Sequence, residues 1–218
     1  MATTREHARE RSPQGEGARL RDDLIAAAGR LLAAGKDINT ISLRGVAREA
    51  GVAAPSVYLH FPSKEALLRT VIDVHFSALK EAIELSAKSD DDAPSRFLAG
   101  CLAYCRYAVD HPGSYNILFN TPRQDLKDTG FAGSPGAAAF QTLVDSVTSC
   151  IEAGVARPGD PFRMATDIWS ALHGVVDLRW GTSGFPWPPL EEQVRGILES
   201  FTGIPYRDRS ADGETTRD

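Results

Sequence analysis

The sequence predicts an all-α protein with a small helical head at the N-terminus and a larger helical body behind it. Three observations support this prediction. Apolar side chains recur every three or four residues through most of the chain, which is the period of an α-helix. Proline, glycine and short polar residues interrupt these stretches at positions typical of helix ends. No two neighbouring segments show the alternating pattern and tight turn of a β-hairpin.

The chain opens with a polar stretch that predicts a mobile arm over residues 1–18. From Arg19 onward, one apolar stripe predicts a first amphipathic helix that stops near Gly35. The stripe consists of Leu20, Leu24, Ala27, Ala28, Leu31 and Leu32.

Two short helices are predicted next. Ser42 is a candidate N-cap for the first, which ends at Gly51, a residue able to take a positive φ. The second has Pro55 in its first turn, where a missing N–H costs little, and is closed by Pro62. Two short helices joined by a glycine turn are typical of a helix-turn-helix unit, so we interpret residues 19–64 as a three-helix DNA-binding domain.

The body is predicted to begin with a long helix after Ser63 and to continue with a helix that restarts at Pro94. A short segment, SYNILF, follows, and the stretch between Asn120 and Pro135 lacks a periodic apolar face, which favours a loop. The remaining predictions are helices over 136–154, 160–181 and 190–202, a body domain over 65–204 that binds a ligand and dimerises, and a polar tail over 205–218.

Composition limits the classes of function. With 42% hydrophobic and 24% charged residues, the chain can form a substantial core. Because the N-terminal stretch contains no apolar run, neither a secretory signal nor a membrane span is expected, and we predict a cytoplasmic protein with no membrane partner. Three cysteines, an odd number in a chain of this size, do not indicate a framework of paired disulfide bonds.

The net charge of −5 is unevenly divided along the chain. Residues 1–64 hold ten Lys and Arg against seven Asp and Glu, a net +3, and residues 65–218 hold fourteen against twenty-two, a net −8. A basic head on an acidic body favours approach to a polyanion by the head alone. Within that head the side chains expected to face outward are mostly hydrogen-bond donors, namely Arg44, Ser56, Tyr58, His60 and Lys64.

The stretch TISLRGVAREAGVAAPSVYLHFPSKEALL resembles the signature of the TetR family of bacterial regulators. Its distinctive parts are Ala50-Gly51-Val52, Tyr58, His60-Phe61 and Lys64. The resemblance implies a homodimer whose two recognition helices read successive major grooves of palindromic, double-stranded operator DNA, and a repressor released by a small molecule. By the same resemblance, phosphate contacts are expected from Ser42, Tyr58, His60 and Lys64, and base contacts from Ala54, Pro55 and Ser56.

Two departures from the family pattern concern the recognition helix. Ala53 stands where family members usually have Ser or Thr, so one helix cap is expected to be missing. Residues 54–56 include no Arg, Asn or Gln, the side chains that read guanine or adenine with two hydrogen bonds. We therefore predict sparse direct readout, with thymine-methyl contacts, the Ser56 hydroxyl, help from Arg44 and recognition of DNA shape. The alternative for this segment is a purely structural helical hairpin.

The body resembles the C-terminal domain of the same family. The phrases YAVDHPGSYNILF and WSALHGVVDL are similar to a subgroup named for its Trp-His-Gly pattern, here Trp169, His173 and Gly174. Because glycine lets helices approach closely, we predict that dimerisation uses residues 160–181 and 190–202.

A ligand pocket is predicted between the helices that begin at Ser63, Pro94 and Gly136 and the SYNILF segment. The alternative for each candidate lining residue is a place in the core. The candidates are Phe97, Cys101, Tyr104, Tyr107, Phe119, Phe140, Trp169 and His173.

The sequence raises three other hypotheses. Cys101 and Cys105 lie one helical turn apart and could form a metal or thiol sensor with His111 or Cys150. The commoner role of a free cysteine is that of a small buried apolar residue. We therefore expect no metal or other cofactor. An enzyme is disfavoured because none of the phosphate-loop, nucleophile or metalloprotease motifs is present. A helical adaptor or an architectural DNA-binding protein without an inducer remains open; a body without a cavity would favour it.

Overall fold

The computed structural model describes residues 16–34, 38–89, 92–120, 133–182 and 184–206, and within these ranges it contains helices and no β-strand. This confirms the predicted all-α fold class. Two 3₁₀ turns lie at Ile38–Thr40 and Ala87–Ser89. The α-helices are α1 (Glu16–Ala33), α2 (Leu43–Glu49), α3 (Ala54–Tyr58), α4 (Lys64–Ser86), α5 (Ala93–Asp110), α6 (Pro112–Phe119), α7 (Pro135–Glu152), α8 (Pro161–Gly181) and α9 (Leu190–Thr202).

The head consists of α1, α2, α3 and the first turns of α4. Helix α1 packs on α2 and α4, and α2 packs on α3. Small and branched apolar side chains fill the space between them, so the short helices are held by tertiary packing rather than by their own propensity. The buried set is Leu24, Ala27, Ala28, Leu32, Ile38, Ile41, Leu43, Val46, Ala47, Val57, Phe61, Leu67, Leu68 and Val71.

Helix α4 connects the head to the body without a break. Its first half buries Leu67 and Val71 in the head, and its second half buries Phe76 and Leu79 in the body. One continuous cluster of buried residues therefore runs through both parts.

The body surrounds the second half of α4. Helices α5 and α7 pack against α4 and against each other, α8 packs on α7 and α5, and α9 packs on α8 and α5. The SYNILF segment is part of a helix, α6, which contacts α1, α4 and α5. Helix α6 thus lies where the head meets the body.

Several predicted boundaries are wrong by a few residues. Helix α1 begins at Glu16 rather than Arg19, because residues 16–18 add no apolar position that periodicity could detect, so the predicted arm over 1–18 is too long. The predicted tail is also too long, because Tyr206 packs against the core. Residues 1–15, 121–132 and 207–218 of the predicted arm, loop and tail lie outside the described residues.

Helix length and composition also bear on membrane insertion. Within the described ranges, none of the helices combines the length and the apolar character needed to cross a bilayer.

Candidate functional site

The surface formed by α2 and α3 begins with a capped helix and continues with an uncapped one. The Ser42 hydroxyl accepts a hydrogen bond from the Gly45 backbone N–H at 3.1 Å, which caps α2 as predicted. Ser63 caps α4 in the same way, accepting from the Ala66 N–H at 3.2 Å. Ala53 at the start of α3 has the extended backbone of a cap residue, with φ −70° and ψ 138°, and makes no side-chain cap bond.

Helix α3 is anchored on one side and open on the other. Val57 is fully buried, whereas Tyr58 is 55% and Leu59 is 84% exposed. Gly51 in the preceding turn has φ 71°, which only glycine adopts without strain. The turn and the Val57 anchor together present the opposite side of α3 to solvent.

The predicted DNA-binding residues all lie in the α2–α3 unit or directly after it. Ser42, Arg44, Pro55 and Tyr58 are exposed, and Ala54, Ser56, His60 and Lys64 are half-buried. The Lys64 ammonium donates a hydrogen bond to the Ile38 carbonyl at 3.2 Å, which uses one of its three donors and leaves two. The structure thus gathers these residues around α3.

Two further residues of this surface were missed from the sequence. The Arg21 guanidinium of α1 lies 5.1 Å from the centre of the Phe61 ring, which brings its charge beside the end of the α3 segment. Leu59 is exposed although it belongs to a hydrophobic residue type. Arg21 lies far from Phe61 in the sequence, so helical spacing could not indicate this contact. The exposure of Leu59 could have been predicted, because Leu59 directly follows the last residue of α3.

The body contains a partly open cavity of about 490 Å³ between α4, α5, α6, α7 and α8. Its size is typical of small-molecule sites. Most of the wall is apolar, and several aromatic rings contribute to it. The lining residues are Phe76, Leu79, Ile83, Phe97, Gly100, Cys101, Tyr104, Leu118, Phe119, Gly136, Ala139, Phe140, Thr142, Leu143, Ser146, Trp169 and Leu172.

Of the predicted ligand residues, the structure brings six together in this wall: Phe97, Cys101, Tyr104, Phe119, Phe140 and Trp169. Tyr107 is half-buried and packs on the ring of His111, with 4.9 Å between ring centres, outside the described wall. His173 lies behind the wall, 4.8 Å from the centre of the Phe119 ring. The α7 residues Thr142 and Ser146 were not predicted, because small hydroxyl residues give no signal of pocket lining in a sequence.

A polar cluster joins the cavity to α6. The hydroxyl of Tyr104 lies 3.0 Å from Nδ1 of His173, and the hydroxyl of Tyr115 on α6 lies 2.7 Å from the same atom. On the other side of the ring, Nε2 of His173 lies 3.5 Å from a carboxylate oxygen of Asp177. This carboxylate favours the tautomer with its proton on Nε2, so that Nδ1 carries one lone pair and accepts from one of the two tyrosine hydroxyls.

Burial keeps this cluster uncharged apart from Asp177. Burial lowers the pKa of His173 below its ordinary value, although the carboxylate of Asp177 opposes the shift. Burial also raises the pKa of Tyr104 and Tyr115 well above the ordinary value for tyrosine. At neutral pH both phenols therefore retain their protons.

The three cysteines are buried thiols. Burial raises the pKa of Cys101 well above its ordinary value, that of Cys105 to about 12 and that of Cys150 to about 11, so each remains protonated. His111 is exposed beyond the end of α5. In the part of the chain that the structure describes, His, Cys, Asp and Glu side chains do not form a group of three able to hold a metal ion.

Helix α6 also touches the head directly. Gly113 packs so closely on α1 that a Cβ atom added to it would lie 2.7 Å from the Cβ of Ala33. Near it, the Asn116 side-chain amide donates to the Leu32 carbonyl at 3.3 Å. The helix that carries Leu118 and Phe119 into the cavity wall is thus the helix that contacts α1.

Two family models match the chain. One, described as bacterial regulatory proteins of the tetR family, matches residues 24–71. The other, described as a tetracyclin repressor-like C-terminal domain, matches residues 97–200. The matched ranges include α2, α3 and the described cavity lining apart from Phe76, Leu79 and Ile83 of α4.

Relatives and solved structures agree with these matches. An uncharacterised HTH-type transcriptional regulator of Mycobacterium tuberculosis is 30% identical over 139 residues, and the alignment spans 63% of this chain and 60% of that protein. A protein with unknown function from Rhodococcus sp. RHA1 is 29% identical, with a TM-score of 0.70, over 88% of this chain and 97% of its own. A TetR family transcription regulator from Marinobacter aquaeolei shares the fold, with a TM-score of 0.71 at 14% identity over 86% of this chain and 97% of its own.

Proposed function

The chain belongs to the TetR family of bacterial regulatory proteins, and on this basis we propose that it is a transcriptional repressor released from palindromic operator DNA by a small molecule. One observation carries the proposal. A helix-turn-helix unit with an exposed polar face is joined through one unbroken helix, α4, to a body that contains a cavity of about 490 Å³. The cavity supports ligand sensing over a constitutive architectural role.

DNA binding is assigned to the outward side of the α2–α3 unit. Ser42, Tyr58, His60 and Lys64 supply donors for phosphates, and their grouping around α3 supports this role. Residues 54–56 meet the base edges of the major groove. Since these residues offer one hydroxyl and two apolar surfaces, recognition of the operator sequence depends on thymine methyl groups and DNA shape, with help from Arg44.

Dimerisation is assigned to α8 and α9, over residues 160–181 and 190–202. Within one protomer, a Cβ atom added at Gly174, Gly181 or Gly196 would meet nothing within 4 Å. Leu178, four residues after Gly174 on the same side of α8, is 56% exposed. A glycine and an exposed leucine on one face suit close packing against a second copy. Membership of the Trp-His-Gly subgroup is proposed from the pattern Trp169, His173 and Gly174 alone.

A Gly174→Gln variant tests the interface. Glutamine stabilises a helix more than glycine does, and it places a long side chain at the proposed contact. We expect a dimer for the wild type and a monomer for the variant in light scattering after gel filtration. Ser149→Gln, at an exposed position of α7, is the matched control and should remain dimeric. A dimeric Gly174→Gln variant would place the interface elsewhere.

DNA binding is best tested by selecting sites from fragmented genomic DNA with the purified protein and measuring affinities for the enriched sequences. We expect palindromic sites, an affinity that falls steeply with salt, and a loss of roughly three- to tenfold in Tyr58→Phe if its hydroxyl binds a phosphate. Tyr107→Phe in the body is the control and should bind like the wild type. Failure to enrich any double-stranded sequence would refute the proposal.

A further inference from the structure

We propose that the cavity takes an uncharged, apolar molecule, which is held by the contact area and not by a directed hydrogen bond to a side chain. The inference rests on the proposed function, because it takes the cavity to be the effector site. Three properties of the described wall carry it, namely the charge of its side chains, the partners of its polar groups and the apolar surface that remains.

The described wall holds no ionised side chain. Its residues include no Asp, Glu, Lys, Arg or His. Burial raises the pKa of Cys101 and of Tyr104, so both keep their protons at neutral pH. A carboxylate or phosphate entering this space would lose its hydration without gaining a partner of opposite charge. The wall therefore favours neutral molecules.

The two polar aromatic groups of the wall are occupied by protein partners. A tyrosine hydroxyl can make three hydrogen bonds, one as donor and two as acceptor. The hydroxyl of Tyr104 lies 3.0 Å from Nδ1 of His173. It also makes hydrogen bonds with the side chains of Tyr115 and Trp169. Since the Trp169 indole has a single donor, these contacts leave neither Tyr104 nor Trp169 a position for a ligand.

The hydroxyl groups of α7 have also used their protons within the protein. Thr142 donates to the Ala138 carbonyl at 3.2 Å, and Ser146 donates to the Thr142 carbonyl at 2.8 Å. The side chains of the described wall therefore offer a ligand acceptor only the weak donor of the Cys101 thiol. A polar atom of a buried ligand would lose hydrogen bonds to water that these side chains do not replace.

The remaining surface of the wall is apolar, with aromatic rings on two sides. Phe119 meets Phe76 edge to face, with 5.9 Å between ring centres, and Phe140 meets Trp169 in the same way at 5.8 Å. The Phe76 ring also covers Gly136, because a Cβ atom added there would lie 3.2 Å from its Cζ. An apolar cavity binds water weakly, so an apolar guest gains contacts without displacing tightly held water. Its affinity should therefore grow with the apolar area that it buries.

Two dyes that differ by one charged group test the exclusion of charge. N-phenyl-1-naphthylamine is neutral at pH 7, and 1-anilinonaphthalene-8-sulfonate is the same molecule with a sulfonate added. We would titrate each dye into the purified full-length protein and follow the dye fluorescence. We expect the neutral dye to bind in the cavity about tenfold or more tightly than the sulfonate. Equal or tighter cavity binding by the sulfonate, or no cavity binding by the neutral dye, would overturn the proposal.

Matched variants of α7 assign the fluorescence to the cavity. Ala139 lines the wall, whereas the neighbouring Ala138 is exposed. Ala139→Phe should weaken binding of the neutral dye by filling part of the cavity, and Ala138→Phe should bind it like the wild type. Circular dichroism checks that both variants keep the fold. Equal dye binding by the two folded variants would place the dye outside the cavity and contradict the inference.

Two competitors test whether a directed hydrogen bond contributes. Butylbenzene and 3-phenyl-1-propanol differ only in a terminal methyl or hydroxyl group. We expect the Kd of butylbenzene, measured by displacement of the neutral dye, to be at least about fivefold lower than that of the alcohol, because the hydroxyl loses water without gaining a partner. Thr142→Val should leave both Kd values unchanged. Equal or tighter binding by the alcohol, or its selective weakening in Thr142→Val, would reveal a directed hydrogen bond and refute the inference.

Measuring DNA affinity on the same samples separates the two proposals. If the neutral dye does not bind in the cavity while operator DNA is bound, the ligand inference fails and the proposed DNA binding stands. If the neutral dye and butylbenzene are preferred while DNA is not bound, the proposed function fails and the chemistry of the cavity stands.

Discussion

At the scale of single residues, a side-chain oxygen distinguishes the two helices of the proposed DNA-binding surface. Ser42 satisfies a free N–H group at the start of α2, whereas Ala53 has the backbone of a cap residue without the oxygen. The N-terminus of α3 is consequently held by Pro55, by the turn before it and by burial of Val57. Stability and DNA affinity can be altered separately at these two positions.

Ala53→Thr should add the missing side-chain cap, because the existing backbone angles suit a threonine whose hydroxyl would share the Ser56 N–H, which already donates to the Ala53 carbonyl at 3.0 Å. We expect the free energy of unfolding to rise by about 0.5–1 kcal/mol, measured by chemical denaturation. Ala53→Val has the same shape without the oxygen and is the control. Equal stability of the two variants would show that no cap forms.

Ser42 allows capping to be separated from phosphate binding. Ser42→Ala should lower the free energy of unfolding by about 1 kcal/mol, because the Gly45 N–H loses its acceptor. Ser42→Asp should keep the cap and the stability but weaken DNA binding, because a carboxylate would repel a phosphate. Denaturation curves and DNA titrations of both variants check this; tight DNA binding by Ser42→Asp would exclude a phosphate contact at Ser42.

At the scale of elements, α6 links the two functional surfaces. One part of it forms cavity wall through Leu118 and Phe119, Tyr115 joins the hydrogen bonds of His173, and Gly113 lies against α1. A ligand that displaces α6 would therefore act on the head directly, in addition to acting through α4. The contact between α6 and α1 is thus a second connection from the cavity to the head, besides α4.

Gly113→Ala tests the contact between α6 and α1. Its new Cβ would lie 2.7 Å from that of Ala33, so one helix must shift, and we expect a destabilisation of about 1–3 kcal/mol together with weaker DNA binding. Adding Ala33→Gly in the same chain should recover most of the loss. A double-mutant cycle of unfolding free energies measures the coupling, and additive effects would argue against direct contact.

At the scale of the whole molecule, head and body share one core but carry opposite net charge. The uninterrupted buried cluster makes cooperative unfolding the natural expectation. His75 lies at this junction, on α4 beside a cleft that Asp22, Arg30 and His111 also line. A Cβ atom added at Gly29 of α1 would lie 3.4 Å from its Nε2.

His75 should make the stability of the whole protein depend on pH. Burial lowers the pKa of His75 in the folded state, so below about pH 6.5 the unfolded chain binds a proton more readily, and the free energy of unfolding falls as the pH decreases. His173, whose pKa is also lowered, adds to the same trend. His75→Gln should reduce the slope between pH 7 and pH 5 in denaturation experiments. Identical slopes would mean that His75 does not titrate differently on folding.

Local signals in the sequence predicted most of the helices, the Ser42 cap and the resemblance to the TetR family, because periodicity, Ser42, Gly51 and the residues around Tyr58 can be recognised without knowing the fold. The packing of the helices was needed to show that Tyr104, Tyr115 and His173 form one hydrogen-bonded cluster, that Thr142 and Ser146 line the cavity, and that Gly113 meets Ala33. These residues come from different helices, and their contacts depend on how the helices cross. Helical spacing shows which residues share a face, but it does not show which neighbour that face will meet.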